Sequence, residues 1–267
     1  MSKKSFAIPP QSTRVFAGYK LPDVSTEKFY AELGQTFMPG TPYMQAELGL
    51  TAYIPAVLDV NMLFSLSASK QVPDEVALIG YSSLKEYQLA RTKSLRRRMY
   101  THSHLAVFNM KAAGGGGQFP GPIEEPTRRE NRLSWFLFDE NTDWQKGHTT
   151  LFVGVTDFDL SGDPKGLVEH SKKMKADLKN AGANQVIFLA TPVYAICWVH
   201  SNESIDLKGD ELFGDNYHFK LDQMKARNIE MPTLIEDPFS GQTIEGVDIT
   251  EPSMFNFKFE RDARFSN

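Results

Sequence analysis

The chain has 267 residues, 41% hydrophobic and 23% charged, with a formal net charge of -4 at pH 7. A single cysteine, Cys197, excludes an internal disulfide framework and a cysteine-based zinc cluster. No run approaches the ~18 apolar residues of a membrane span, and the balance of 29 basic against 33 acidic residues speaks against a dedicated nucleic-acid binder.

The order of elements repeats along the chain. Arg14 to Leu21 is a β-type run closed by Pro22, and Ser25 caps a short helix carrying Phe29 and Leu33, with Gly34 as its stop. Thr41-Pro42 opens a second turn of helix, Leu50 to Leu58 is a strand, and Glu75 to Tyr81 is a third strand. Ser83 and Glu86 have capping-box spacing at the start of a helix running to about Ser94, after which Thr101 to Met110 is read as the fourth strand.

Ala112 to Pro126 is rich in glycine and proline and reads as a linker, followed by a strand, Leu133 to Phe138, expected to pair with the run near Thr149. The second half offers a strand at Thr149 to Phe158, a helix from Pro164 to Ala181 ended by Gly182, and strands at Gln185 to Ala190 and Val193 to His200. Phe219 to Arg227 reads as a short helix. Met254 to Glu260, with Phe255, Phe257 and Phe259 alternating on one face, reads as the strand that closes the second unit.

Each half is therefore β-α-β-β-α-β, a ferredoxin-like split βαβ with an antiparallel sheet. The expected fold class is α+β: two tandem ferredoxin-like units, residues 1–111 and 131–267, joined by a Gly/Pro-rich linker at 112–130. The segment from Glu75 to Phe108, strand, capped helix and strand, resembles the dimeric α+β barrel superfamily. That resemblance implies two sheets packed face to face, here within one chain. It also implies a small-molecule site with cofactor-independent proton-transfer or oxygenation chemistry, a haem-binding variant being the alternative.

Candidate site residues follow from the reading of Thr101 to Met110 as a strand. His102 and His104 would then share a face with Tyr100, and imidazoles beside an apolar floor suit proton transfer near neutral pH. Arg97 and Arg98, within the densest positive cluster, would hold an anionic substrate, although cations at a helix end also meet the helix dipole.

Asp157, Asp159, Ser161, Gly162 and Asp163 open like a calcium loop, but its twelfth position is Val168 and the segment follows a strand; Asp163 before Pro164 is a simpler helix cap. Gly114 to Gly117 lacks the helix and lysine of a phosphate loop. Cys197 lies in an apolar strand and reads as a buried hydrophobe, with His200 on the opposite face.

No metal or cofactor is expected. A cytoplasmic monomer or homodimer is expected, with a small-molecule ligand and neither nucleic acid nor membrane as partner; MSKKSFAIPPQ at the N-terminus shows no apolar leader core. The competing expectations are a non-catalytic structural or interaction protein, in which aromatic side chains plug the histidine face, and, more weakly, an RNA-binding protein.

Overall fold

A computed structural model describes residues 6–60, 72–112, 116–156, 164–230 and 246–259. The strands are β1 (Thr13–Gly18), β2 (Leu50–Val57), β3 (Glu75–Tyr81), β4 (Gly116–Gln118), β5 (Gly121–Pro122), β6 (Thr127–Arg129), β7 (Arg132–Phe136), β8 (His148–Val155), β9 (Ala183–Ala190), β10 (Tyr194–Ser201), β11 (His218–Lys225), β12 (Arg227–Glu230) and β13 (Ser253–Lys258). The α-helices are α1 (Thr26–Glu32), α2 (Met38–Met44), α3 (Leu84–Arg91), α4 (Leu95–Ser103), α5 (Lys165–Asn180) and α6 (Gly209–Phe213).

The class is α+β, with two mixed sheets of order β12-β13-β2-β3-β1-β4 and β11-β8-β10-β9-β7-β5, β6 flanking β7. The same antiparallel core order appears in both: β4-β1-β3-β2 in the first sheet and β11-β8-β10-β9 in the second. The first sheet also receives β12 and β13 from the C-terminal part of the chain, and the second is extended by β7 and the short β5. The C-terminal β13 lies antiparallel on β2, and β7 lies antiparallel on β9.

Strand alternation divides the core into layers. Val15, Ala17, Ile54 and Leu78 of the first sheet meet Ile187, Leu189, Ile196 and Trp198 of the second. Each large side chain so buried contributes roughly 1.5–3 kcal/mol, making this layer the main source of cohesion. The other face of the first sheet, with Tyr53, Ile79, Tyr81 and Phe257, packs under α1 to α3 and the turns between them. The other face of the second, with Phe152, Phe188 and Cys197, packs under α5 and α6. β10 is consequently buried along its whole length, as an apolar run covered on both faces must be.

Several local expectations hold. Ser25 and Ser83 cap α1 and α3 by accepting from the backbone N–H of Lys28 and Glu86. α5 presents Leu167 and Leu178 to the core and ends at Gly182, whose φ of 98° suits only glycine.

Others are corrected. Thr101 to Met110 is not a strand: Ser94 accepts from the Arg97 N–H and starts α4, which runs into a 3-10 turn at His104–Ala106. The edge position expected for that run is taken by β4, inside the segment read as a linker, which contributes three short strands in all. Phe219 to Arg227 is strand, because its alternation serves an edge on β8. β13 joins the first sheet between β12 and β2, and β7 pairs with β9 instead of the run near Thr149. β7 also has β5 and β6 against it, so it offers no free edge to a second copy.

Gly34 does not end a helix. A π-turn, Leu33–Phe37, carries the chain from α1 into α2, and Gly34 instead lets a neighbouring backbone approach, its carbonyl accepting from the Val247 N–H at 2.7 Å. The Asp157 to Asp163 segment, Gly114 and Glu260 lie outside the described residues.

Candidate functional site

A cavity of about 90 Å³ lies between the outer face of the first sheet and helices α2 and α4. It is not between the two sheets, where apolar side chains of both form one continuous cluster. Its floor is set by strand parity. Glu75, Ala77 and Ile79 follow one another on β3, Arg14 and Phe16 on β1, and Tyr53 on β2; register places Arg14 and Tyr53 on either side of Ile79. Phe37, Thr41 and Gln45 come from the α2 side, and Arg97, Tyr100, Thr101 and His104 from the α4 side.

The helical geometry re-sorts the residues singled out in the sequence. Arg97, Tyr100 and His104 recur at three- and four-residue spacing and so face the cavity together, whereas Arg98 and His102 are exposed and do not line it. On a strand His102 and His104 would have pointed the same way; on a helix two residues apart they diverge by roughly 200°.

Tyr100 and His104 are joined directly. Their ring centroids are 4.5 Å apart, and His104 Nδ1 lies 2.7 Å from the Tyr100 carbonyl oxygen. A carbonyl only accepts, so Nδ1 carries the proton and Nε2 is the unprotonated nitrogen. Phe37 at 4.7 Å and Phe108, stacked at 5.1 Å, surround the same ring. Burial lowers the His104 pKa to about 4, and this imidazole is neutral at pH 7.

The remaining groups are held by a polar chain. The Tyr100 hydroxyl is hydrogen-bonded to Thr41, whose Oγ1 also donates to the Phe37 carbonyl at 2.6 Å. Tyr81 donates to Gln45 Oε1 at 2.5 Å. Burial pushes the phenols of Tyr53, Tyr81 and Tyr100 up from their ordinary value, so all three keep their protons at neutral pH. Arg14 lies across β4, where a Cβ on Gly117 would collide with its guanidinium; part of the glycine run therefore makes room for this cation.

Glu75 is the distinctive member. It is 4% exposed at the cavity floor, and burial raises its pKa from the ordinary 4.5 to about 8. At pH 7 the cavity thus holds a protonated carboxyl, neutral phenols, a neutral imidazole and the Arg14 and Arg97 guanidiniums. Its charge is positive.

Glu75, Arg14, Tyr53, Thr41 and Gln45 were not among the sequence candidates. A signal for the first two existed: in EVALIGY and RVFAG, period-two alternation places Glu75 with Ala77 and Ile79, and Arg14 with Phe16. Cys197 is fully buried as expected, with burial raising its thiol pKa, and His200 is held by the Lys146 carbonyl at 2.8 Å. Among the described residues, no group of three or more His, Cys, Asp or Glu is placed to hold a metal, and no helix is long and apolar enough to cross a membrane.

No protein-family model matches the chain, and neither does any curated protein sequence. Among solved structures, a protein of Lactobacillus acidophilus NCFM provisionally assigned as a monooxygenase is similar over 71% of this chain and 76% of its own, with 10% identity and a TM-score of 0.31. A likeness of that size says nothing about chemistry.

Proposed function

We propose that this protein binds a small organic anion in the cavity over the first sheet and that Glu75 exchanges a proton with a carbon next to the ligand's carbonyl group. The observation that carries this is a buried carboxyl with a pKa of about 8, opening on a cavity whose charged members are two guanidiniums. Arg14 and Arg97 hold the anion and the enolate that forms when Glu75, ionised in roughly one molecule in ten at pH 7, removes the proton; Glu75, then a carboxylic acid, returns it. Tyr100 gives its proton to Thr41, whose own proton goes to the Phe37 carbonyl, so the phenol is held in place as a wall of the site. His104 supports Tyr100 and has no acid role at neutral pH.

The fold proposal accompanies it. The shared order of β4-β1-β3-β2 and β11-β8-β10-β9 supports two tandem ferredoxin-like units forming an intrachain α+β barrel. The proposed first unit, placed at 1–111 from sequence, gains β4, and the second, placed at 131–267, lends β13 to the first sheet. We read the protein as cytoplasmic and cofactor-independent.

The test is proton exchange in D2O. Small α- and β-keto acids are incubated with the protein and their C–H signals followed by NMR. Catalysed exchange is expected for at least one, falling by about 10²–10⁴ in Glu75→Gln, the usual contribution of a positioned acid–base group. Arg14→Gln should weaken binding instead. If every keto acid exchanges no faster than in buffer and none shifts the tyrosine resonances of the cavity, the proposal fails.

A further inference from the structure

All five exposed large hydrophobic side chains among the described residues, Leu89, Leu95, Met99, Leu105 and Met110, fall in one 22-residue stretch. The same region is the most basic in the chain: from Lys85 to Arg98 there are six cations and one acid, in a protein of net charge -4. We propose that this face, centred on α4, docks on an anionic lipid surface.

Helix geometry supplies the argument. The inner side of α4 is occupied by Arg97, Tyr100 and Thr101 at the cavity. Its opposite side, at 100° per residue, carries Leu95, Met99 and His102, with Arg98 at one margin and Arg96 at the other. Leu95 is 62% exposed and Met99 44%, large apolar groups that a helix in water gains nothing by presenting. An apolar stripe between cationic margins is the pattern of a helix lying in a membrane interface, where the stripe enters the acyl boundary and the cations meet headgroup phosphates. Arg96 lies over the Tyr43 ring at 5.0 Å, tying the helix to α2 so that the stripe is presented rigidly.

The charge also selects among occupants. A second copy meeting this face about a two-fold axis would set the same guanidinium clusters against one another. A nucleic acid would favour exposed aromatic platforms, and the exposed large side chains here are aliphatic. Docking differs from spanning and departs from the sequence-based expectation of no membrane partner.

Sedimentation of the full chain with vesicles tests this. Vesicles of phosphatidylcholine with roughly one-third phosphatidylserine should carry the protein down at low salt, and vesicles of phosphatidylcholine alone should not. Raising the salt to about 0.5 M should release it. Both Leu95→Glu/Met99→Glu and Arg96→Glu/Arg98→Glu should lower the partition coefficient at least about tenfold, with circular dichroism unchanged. The proposal is overturned if wild type stays in the supernatant, if neutral vesicles bind equally, or if the substitutions change nothing. A concentration-dependent dimer abolished by Leu95→Glu without vesicle binding would assign the face to a second copy. Retention on polyglutamate that matches anionic vesicles would assign it to an acidic protein. Either result overturns lipid docking.

Discussion

The two sheets are built on the same strand order, yet the outer face of one holds a cavity floored by a carboxyl and a guanidinium, and the matching positions of the other are small or uncharged and lie under packed side chains. Register aligns them residue by residue. In the first sheet Gly18 pairs with Glu75, Phe16 with Ala77 and Arg14 with Ile79; in the second Gly154 pairs with Ala195, Phe152 with Cys197 and Thr150 with Val199. Gly18 and Gly154 even share a neighbour of the same kind: a Cβ at either would approach a phenylalanine ring, Phe108 or Phe213, to 2.7 Å.

The differences are therefore local. Where the second sheet has Ala195 and Thr150, the first has Glu75 and Arg14. The second face is covered by the 16-residue helix α5 and by Trp135 stacked on Phe188 at 4.9 Å, whereas the first is covered by short helices joined through a π-turn. An interrupted helical layer leaves room that a continuous one would fill, and that room is where a buried carboxyl can exist.

The largest expected effect comes from imposing one face on the other. Ala195→Glu places an unpartnered carboxyl at a fully buried position beside Gly154, with no cavity to receive it. An unsatisfied buried polar group and overpacking together should cost about 5 kcal/mol, lowering the urea midpoint sharply or preventing folding. If Ala195→Glu unfolds at the wild-type midpoint, the two faces are not distinguished by packing as described.

The converse change is read from pH. Because the folded pKa of Glu75 is about 8 against an ordinary 4.5, the folded state keeps a proton that the unfolded chain has lost. Glu75 should therefore erode stability as pH rises from 4.5 to 8, by on the order of 5 kcal/mol at about 1.36 kcal/mol per pH unit, and contribute no further slope above 8. His104 acts oppositely. Its folded pKa of about 4 lies below the ordinary 6.5, so stability is lost as pH falls from 6.5 toward 4. The two slopes offset one another between 4.5 and 6.5. Glu75→Gln should abolish the fall between 6.5 and 8 and expose the rise below 6.5; a difference profile that is flat from 4.5 to 8 would show that Glu75 titrates as an ordinary carboxylate.

What the sequence made legible follows the range of the interactions. Ser25, Ser83 and Gly182 act through their immediate neighbours, and the helix ends they mark were visible. β1, β2, β3, β8, β9 and β10 were visible through their apolar runs. The transfer of β13 to the first sheet was not, since Phe255 and Phe257 alternate in the same way whichever sheet receives them. The short β4 owes its place to Val15, Phe16 and Ala17 across the sheet and carries no β-type composition of its own. At the site the right helix was reached through the wrong secondary structure. Tyr100 and His104 were retained because four-residue and two-residue periods coincide at every fourth position, Arg97 came from the basic cluster, and Glu75 was missed because a charge at the start of a strand looks like its exposed end.

That coincidence of periods supplies the prediction with the smallest effect. His102 and His104 are equivalent on a strand and divergent on α4. His104→Leu should remove the bond to the Tyr100 carbonyl and disturb the packing against Phe37 and Phe108, costing about 1–2 kcal/mol and shifting the cavity's tyrosine resonances. His102→Ala, at an exposed position, should stay within about 0.5 kcal/mol of wild type and leave those resonances in place. Equal effects from the two would restore the strand and its shared histidine face. An effect from His104 alone fixes the helix, and with it the separation of the cavity side of α4 from the side that carries Leu95 and Met99.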